Sequence, residues 1–371
     1  MAKSMPNMKP DILSVVNKLT GAETEYGKAI RCPFHDERTP SLHIYDDGHW
    51  YCFGCNKFGD VYDFAGYFRY KDAWNAKDPN MFIDVVRFLE NAECKTVKYD
   101  KYIEKDTGTE LDRESASVLR WICFTYHQAL FSKKDPDAVS AKEYLNKRGY
   151  SDEIIKSLKI GYSGKNLLRK KSYSLSKDQR TDFFDKMRKL GLMKDDHEYY
   201  YNRIMFPNVT KEGEVINLTG RAVVNSKRRY LNIPKLKKDL YLIGMINPAY
   251  PVYLTESVTD TVTMWQLGFQ TVATNGTALS KRMIASLDPF EDIRIVPQND
   301  LPSINAAEKW CRLVPRCKIV LPNYVRDTQK DINDILKQEG GARALAKINR
   351  AAGKPMSFDE YAEIAVENLK K

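Results

Sequence analysis

Two pairs of metal-binding residue types stand near the start of the chain, Cys32-Pro-Phe-His35 and Cys52-Phe-Gly-Cys55. Together they supply four N and S donors, the number a tetrahedral structural Zn²⁺ site takes, and the short spacing lets one turn present each pair. For the pairs to meet, the 16 residues between them must fold back. Ser41–Tyr45 and His49–Tyr51 have strand character and Asp46-Asp47-Gly48 supplies Asp-Gly turn chemistry, so the spacing predicts a hairpin. Cys94, Cys123, Cys311 and Cys317 lie among apolar or helical residues and are expected as buried or free thiols. His43 and His49 fall outside the ligand pattern, as hairpin residues that are solvated or packed.

A second set of chemistry-bearing residues is acidic: Glu256, Asp260, Asp300, Asp331 and Asp334. Stepping outward from them, the apolar runs Val252–Leu254, Thr271–Ala273, Ile293–Val296 and Ile319–Leu321 alternate with helical patterns over Thr259–Leu267 and Ser303–Leu313. That alternation predicts a small parallel α/β sheet. Each acidic group follows one of its strands, so all are expected at one sheet edge, where loops at the carboxyl ends of parallel strands favour a divalent-cation site.

Between these regions the chain is rich in Lys and Arg, with Arg203 and Arg221 set singly in apolar strands and Lys227, Arg228 and Arg229 just beyond. Guanidinium groups bind phosphate oxygens in pairs and ammonium groups act as mobile point charges. The whole chain carries 59 Lys and Arg against 49 Asp and Glu, a net charge of +10 that suits a polyanionic partner without naming one. No run approaches the roughly 18 apolar residues of a membrane span, and the expected location is the cytoplasm.

The segment CPFHDERTPSLHIYDDGHWYCFGCNKFGDVYDFAGYF, from Cys32 to Phe68, resembles the zinc-binding domain of bacterial and phage replicative primases of the DnaG type nearly residue for residue. Ala141–Ser163 and Tyr201–Pro234 resemble the amino-terminal half of the same family's polymerase core. Glu256-Ser-Val-Thr-Asp260, Asn275-Gly276-Thr277 and Lys330-Asp331-Ile332-Asn333-Asp334 resemble its Toprim motifs. The family's Asp-x-Asp motif meets Gln298-Asn299-Asp300, so its first aspartate is missing; Gln298 keeps a carbonyl oxygen but no charge. The loop Lys235–Asp239 is shorter than the family's, which leaves open which lysine stands for its basic residue.

The resemblance implies a multidomain α+β and α/β chain: a zinc-ribbon DNA-binding domain over 1–94, a linker over 95–114, a basic polymerase subdomain over 115–248, a Toprim subdomain over 249–340 and a short helical tail over 341–371. It implies a DNA primase making short RNA primers from ribonucleoside triphosphates on single-stranded DNA, with structural Zn²⁺ on Cys32, His35, Cys52 and Cys55. Glu256, Asp300 and Asp331 become catalytic and Mg²⁺- or Mn²⁺-binding residues, with Asp260 and Asp334 in support. Arg203, Arg221, Lys227, Arg228 and Arg229 become nucleotide or template contacts, and Arg38, Lys57 and the exposed ribbon aromatics candidate DNA contacts. No Gly-x4-Gly-Lys-Ser/Thr motif occurs, so a helicase is expected in trans, and the compact length suggests a phage or mobile-element enzyme. Gln298 keeps alive a non-catalytic DNA-binding factor with a degenerate core; a Toprim nuclease is the remaining alternative, disfavoured by the ribbon and the Arg-Ile-Met-Phe-Pro segment.

Overall fold

The computed structural model describes residues 8–46, 48–76, 78–98, 103–195, 197–223, 226, 228–325, 328–358, 360, 361 and 364. Two compact units result: residues 1–103 with 299–319 and 356–371, and residues 104–298 with 320–355.

In the first unit the predicted hairpin is part of a four-stranded antiparallel sheet, Ala29–Ile30, Leu42–Ile44, Trp50–Cys52 and Phe58–Gly59 in that order. Leu42 faces Cys52, His43 faces Tyr51 and Ile44 faces Trp50 across the hairpin. The period of two then sorts the side chains: Leu42, Ile44, Trp50 and Cys52 are buried while His43 and Tyr51 sit on the opposite face. Trp50 packs with Phe34 and Phe64 at ring separations of 5.3 and 5.4 Å, and Phe34 meets Phe64 edge-on at 5.0 Å. Phe64 comes from the helix Val61–Tyr70, which starts where Asp60 and Asp63 form a reciprocal capping box. Residues 299–319 contribute the helix Leu301–Leu313 to this unit, with Glu308 buried between Tyr62, whose hydroxyl donates at 3.3 Å, and Arg312 at 2.9 Å. The compact units therefore cut across the single 249–340 division expected from sequence.

The second unit contains an antiparallel sheet in the order Tyr230–Asn232, Val215–Ala222, Arg203–Val209, Gly161–Ser163. The long helix Arg113–Leu130 lies so close to the edge strand that a Cβ on Gly161 would fall 2.6 Å from the Tyr126 carbonyl carbon. Its other sheet is parallel, with Val252–Thr255 between Thr271–Ala273 and Ile293–Ile295. Val320 extends the pattern by donating its N–H to Ile295 O at 2.8 Å. The helices Val258–Gln266, Ile332–Glu339 and Gly341–Ala352 cover this sheet, burying Met264, Ile332, Ile335, Ala344 and Ile348 with Tyr253 and Val296. The expected tail beyond 341 thus begins as a core helix.

The expected linker is also built into structure. Thr96–Lys98 pairs antiparallel with Met8–Pro10 in the first unit. In the second, Glu104 and Thr109 form parallel bridges with Ser280 and Leu236. Acidic side chains of that segment reach cations far along the chain: Glu104 pairs with Lys238 at 2.7 Å, and Glu110 with Lys237 at 3.1 Å and Arg282 at 2.7 Å. Sequence texture reads such a polar stretch as free because its partners are more than a hundred residues away. No helix of the described residues is long and apolar enough to cross a membrane.

Candidate metal centres and nucleic-acid surfaces

The hairpin brings Cys32, His35, Cys52 and Cys55 together, with donor atoms within 4.8 Å of one another. Cys32 Sγ lies 3.9 Å from Cys55 Sγ, and Cys52 Sγ lies 3.9 Å from His35 Nδ1. Tetrahedral Zn²⁺ with bonds of about 2.3 Å to sulfur sets its ligand atoms roughly 3.8 Å apart, so the donors fit the ion. Burial, more than the neighbouring Cys52 and Cys55, pushes the Cys32 thiol well above its ordinary range. Burial acts the same way on Cys52, but the Cys55 N–H, the Ser41 hydroxyl and Cys55 itself outweigh it and hold that thiol below its ordinary value. Crowded thiols of this kind are what a dication relieves.

Two residues beyond the ligand set complete this centre. Glu37 Oε2 stands 3.2 Å from His35 Nε2, the nitrogen left over when Nδ1 ligates, and Glu37 Oε1 accepts from the N–H groups of Cys32 at 2.6 Å and Ser41 at 3.1 Å. Ser41 Oγ in turn lies 3.2 Å from Cys52 Sγ. A carboxylate on the distal imidazole nitrogen fixes the tautomer and raises the basicity of the ligand. Gly54 is required by the same packing, since a Cβ there would lie 2.4 Å from His35 Nε2. Sequence reading passed over Glu37, although a carboxylate two residues after a ligand histidine was the available signal. Cys94, Cys123, Cys311 and Cys317 form no disulfide, and Cys123 and Cys317 are buried.

The outer face of the ribbon carries a run of aromatic rings: Tyr45 stacks on His43, His43 meets Phe53 edge-on, Phe53 meets Tyr51 at 4.7 Å and Tyr51 stacks on Phe58. Phe53 and Phe58 are 62% and 67% exposed, far beyond what packing alone requires of phenylalanine. Arg38 is exposed, while Lys57 is paired with Asp72 at 2.6 Å and lies over Tyr67.

In the second unit Glu256 follows the strand Val252–Thr255, and Ser257 caps the helix that places Asp260 on its first turn. Asp260 is only 2% exposed. Its Oδ2 accepts from Ser257 Oγ at 2.7 Å and from Gln298 Nε2 at 2.8 Å, while its buried Oδ1 has no hydrogen-bond partner. Burial, reinforced by the charge of Asp331, pushes Asp260 up to about 7. Burial also raises Asp331, with Asp334 adding to it, although Asp331 caps the helix Ile332–Glu339 by accepting the Asp334 N–H at 2.9 Å. Asp334 itself accepts from Lys330 N and pairs with Lys337 at 3.1 Å. Asp300 belongs to the first unit, where it caps the helix Leu301–Leu313 by accepting the Ser303 N–H at 3.0 Å.

The cations divide by burial. Arg203, 8% exposed, donates to the carbonyls of Gly220, Arg228 and Arg229 at 3.4, 3.0 and 3.2 Å. Arg221, 3% exposed, lies over the Tyr230 ring and donates to Tyr230 OH and, at 3.2 Å, to Thr259 Oγ1. Arg228 and Arg229 are exposed, on the loop that Arg203 holds; Lys227 lies outside the described residues. Of the lysines left open by the shortened loop, Lys235 donates to Arg188 O at 3.1 Å, whereas Lys238 lines a polar pocket with Asn217, Asn232 and Asn275.

Comparison with known proteins matches residues 7–91 to the CHC2 zinc finger family, 125–241 to the N-terminal domain of the DNA primase catalytic core, and 253–336 to the Toprim-like family. The chain is 28% identical over 311 residues to a DNA primase of Staphylococcus epidermidis, covering 75% of this chain and 48% of the relative. It is 27% identical over 348 residues to a DNA primase of Geobacillus stearothermophilus, covering 84% and 53%. The chain thus spans about half the length of the curated relatives it matches. Its fold is similar to that of the zinc-binding and RNA polymerase domains of the Aquifex aeolicus primase, with TM-score 0.56 and 19% identity over 98% of this chain and 90% of that one. It is likewise similar to a DnaG primase catalytic domain bound to single-stranded DNA, with TM-score 0.52 and 22% identity over 66% and 80%.

Removing the Glu37 carboxylate in Glu37→Ala is expected to weaken zinc retention by about 10- to 100-fold, with Glu37→Gln recovering part of it. Competition against a zinc-binding dye reads this, and equal retention by all three proteins would refute the role of Glu37. A second expectation concerns pH. A carboxyl whose folded pKa lies above its unfolded value favours the fold while protonated, so the contribution of Asp260 is full below about pH 4 and is lost as pH rises through about 7. Without added divalent cation, Asp260→Asn is expected to flatten this loss, converging with the parent at and below about pH 4 and exceeding it by roughly a few kcal/mol at pH 8 in denaturant unfolding. Parallel stability curves would contradict it.

Proposed function

Since the chain belongs to the DnaG-type primase family, we propose that it is a DNA-directed RNA polymerase that builds short RNA primers from ribonucleoside triphosphates on single-stranded DNA. The observation that carries this reading is a pair of interacting, desolvated carboxyls, Asp260 buried and Asp331 half-buried, with Asp260 Oδ1 buried and without a hydrogen-bond partner. Two carboxylates desolvated together are stable as anions only when a cation neutralises them, and hard divalent ions select oxygen donors of this kind. Mg²⁺ or Mn²⁺ held there would supply Lewis-acid stabilisation of the charge that develops in nucleotidyl transfer.

The protein's own groups do the rest on this reading. Asp260 and Asp331 hold the ion, while Asp334 supports Asp331 through its backbone N–H; Asp300, in the first unit, is kept by itself as a candidate metal ligand. Glu256, at the mouth of the same strand, serves as general acid/base or metal-positioning carboxylate. Arg228 and Arg229 meet phosphates, and Arg203 and Arg221 act through positioning: Arg203 by tying down the Arg228–Arg229 backbone, Arg221 by bracing the Thr259 turn next to Asp260. The exposed ribbon rings offer stacking surfaces to template bases, each worth about 1–3 kcal/mol. As functional divisions we retain 1–94, 115–248, 249–340 and 341–371, with the 95–114 segment partly docked on the core. On this reading the protein works in the cytoplasm and meets a replicative helicase in trans.

The test is incorporation of labelled ribonucleotides on single-stranded DNA in Mg²⁺ and in Mn²⁺, comparing the parent with Glu256→Gln and Asp331→Asn. Synthesis by the parent and a fall of about 100-fold or more in each variant is expected, the scale of losing one group that stabilises developing charge. A parent that binds the template yet makes no product in either ion would turn the assignment to a DNA-binding factor with a degenerate core.

A further inference from the structure

We propose that Gln298 limits the acidic centre of the second unit to one divalent cation, held through Asp260 Oδ1 and Asp331, and that a carboxylate at position 298 would admit a second. The inference rests on the proposed function only for the statement that this centre takes a divalent ion.

The geometry around Asp260 is what restricts it. Each carboxylate oxygen offers about two acceptor sites. Oδ2 of Asp260 uses both, one for Ser257 Oγ at 2.7 Å and one for Gln298 Nε2 at 2.8 Å. Oδ1 is buried with no hydrogen-bond partner, in a side chain that is 2% exposed. An ion can therefore reach Asp260 through one oxygen and not through the other. Asp331 is less committed: its Oδ1 accepts one hydrogen bond, from the Asp334 N–H at 2.9 Å as the cap of the next helix, which leaves it acceptor capacity for the same ion.

Gln298 cannot serve as a ligand without undoing this arrangement. Its amide nitrogen faces Oδ2, where a donor is required; turning the amide over to offer Oε1 would set two acceptors against each other in a buried place. The amide thus does for Oδ2 part of what a cation would do, supplying positive hydrogen-bond character without charge. A carboxylate at 298 has no hydrogen to give, so it would repel Oδ2 until a second ion entered between them. Hard divalent cations accept such bridging carboxylates and fill remaining positions with water or phosphate oxygens.

Binding of Mn²⁺ to the intact zinc-loaded protein, followed by the electron paramagnetic resonance signal of the free ion, counts the sites directly. The parent is expected to take one Mn²⁺ per chain, Gln298→Asp two, and Asp331→Asn to weaken the single site by about 10-fold or more, one factor of ten corresponding to 1.4 kcal/mol. A parent that takes two ions, or a folded Gln298→Asp that still takes one, overturns the proposal. If Gln298→Asp fails to fold, the parent's own count and its loss in Asp260→Asn decide the matter. Primer synthesis does not enter the readout: a parent that makes primers with two ions bound sinks this inference and leaves the proposed function standing, and a parent with one ion and no synthesis does the reverse.

Discussion

Two carboxylates taken out of water beside each other repel, and each also loses its own hydration. Asp260 and Asp331 are in that position, and much of the second unit is arranged around them. Asp260 sits on the first turn of one helix and Asp331 caps another, so both helices aim their positive ends at the pair. Arg148 adds a half-buried guanidinium whose charge lowers both groups, held in place by Tyr144 OH at 2.8 Å and Asn333 Oδ1 at 2.7 Å. Asn333 returns the contact by donating to Arg148 O at 2.9 Å and to Thr263 Oγ1 at 3.1 Å, stitching the two helices together. Even with these compensations burial wins, and Asp260 stays raised. A centre that its own protein leaves under-neutralised is suited to a mobile dication and the phosphates that come with it.

The ribbon solves a different problem by similar means. Strands of two and three residues are too short to be stable alone, and their buried face is thin. Metal ligation joins the two ends of the hairpin, and Phe34, Trp50 and Phe64 fill the space behind it. With the inner face committed to that core, the outer face is left to His43, Tyr51, Phe53 and Phe58, which have no structural duty on that side. The same alternation that builds the sheet thus produces the aromatic surface.

How much of this was legible in the sequence depended on whether the partners were close along the chain. The zinc ligands were legible because covalent spacing and one hairpin dictate their meeting; for the acidic groups the sequence showed only their places after strands, not which of them come together, and Asp300 falls in the other unit. The cations were read less well. A lone arginine in an apolar strand looks like a ligand contact, yet Arg203 spends its guanidinium on three carbonyls of neighbouring strand and loop, an arrangement that residue type does not announce. The docking of Glu104 and Glu110 on Lys238, Lys237 and Arg282 was hidden for the same reason, since complementary charges distant in sequence carry no local pattern. Gln298 was visible as a departure from a resemblance, but its hydrogen bond to Asp260 needed coordinates.

The central claim is that the Asp260–Asp331 pair is a cation site, and unfolding temperature in rising Mg²⁺ or Mn²⁺ tests it most directly. An ion that binds the folded chain alone stabilises it by about 2.7 kcal/mol at a hundred times its dissociation constant. The account predicts a concentration-dependent rise in the melting temperature of the zinc-loaded parent that is lost in Asp260→Asn and in Asp331→Asn. A parent that does not respond to either ion, or a rise of equal size in both variants, would contradict it.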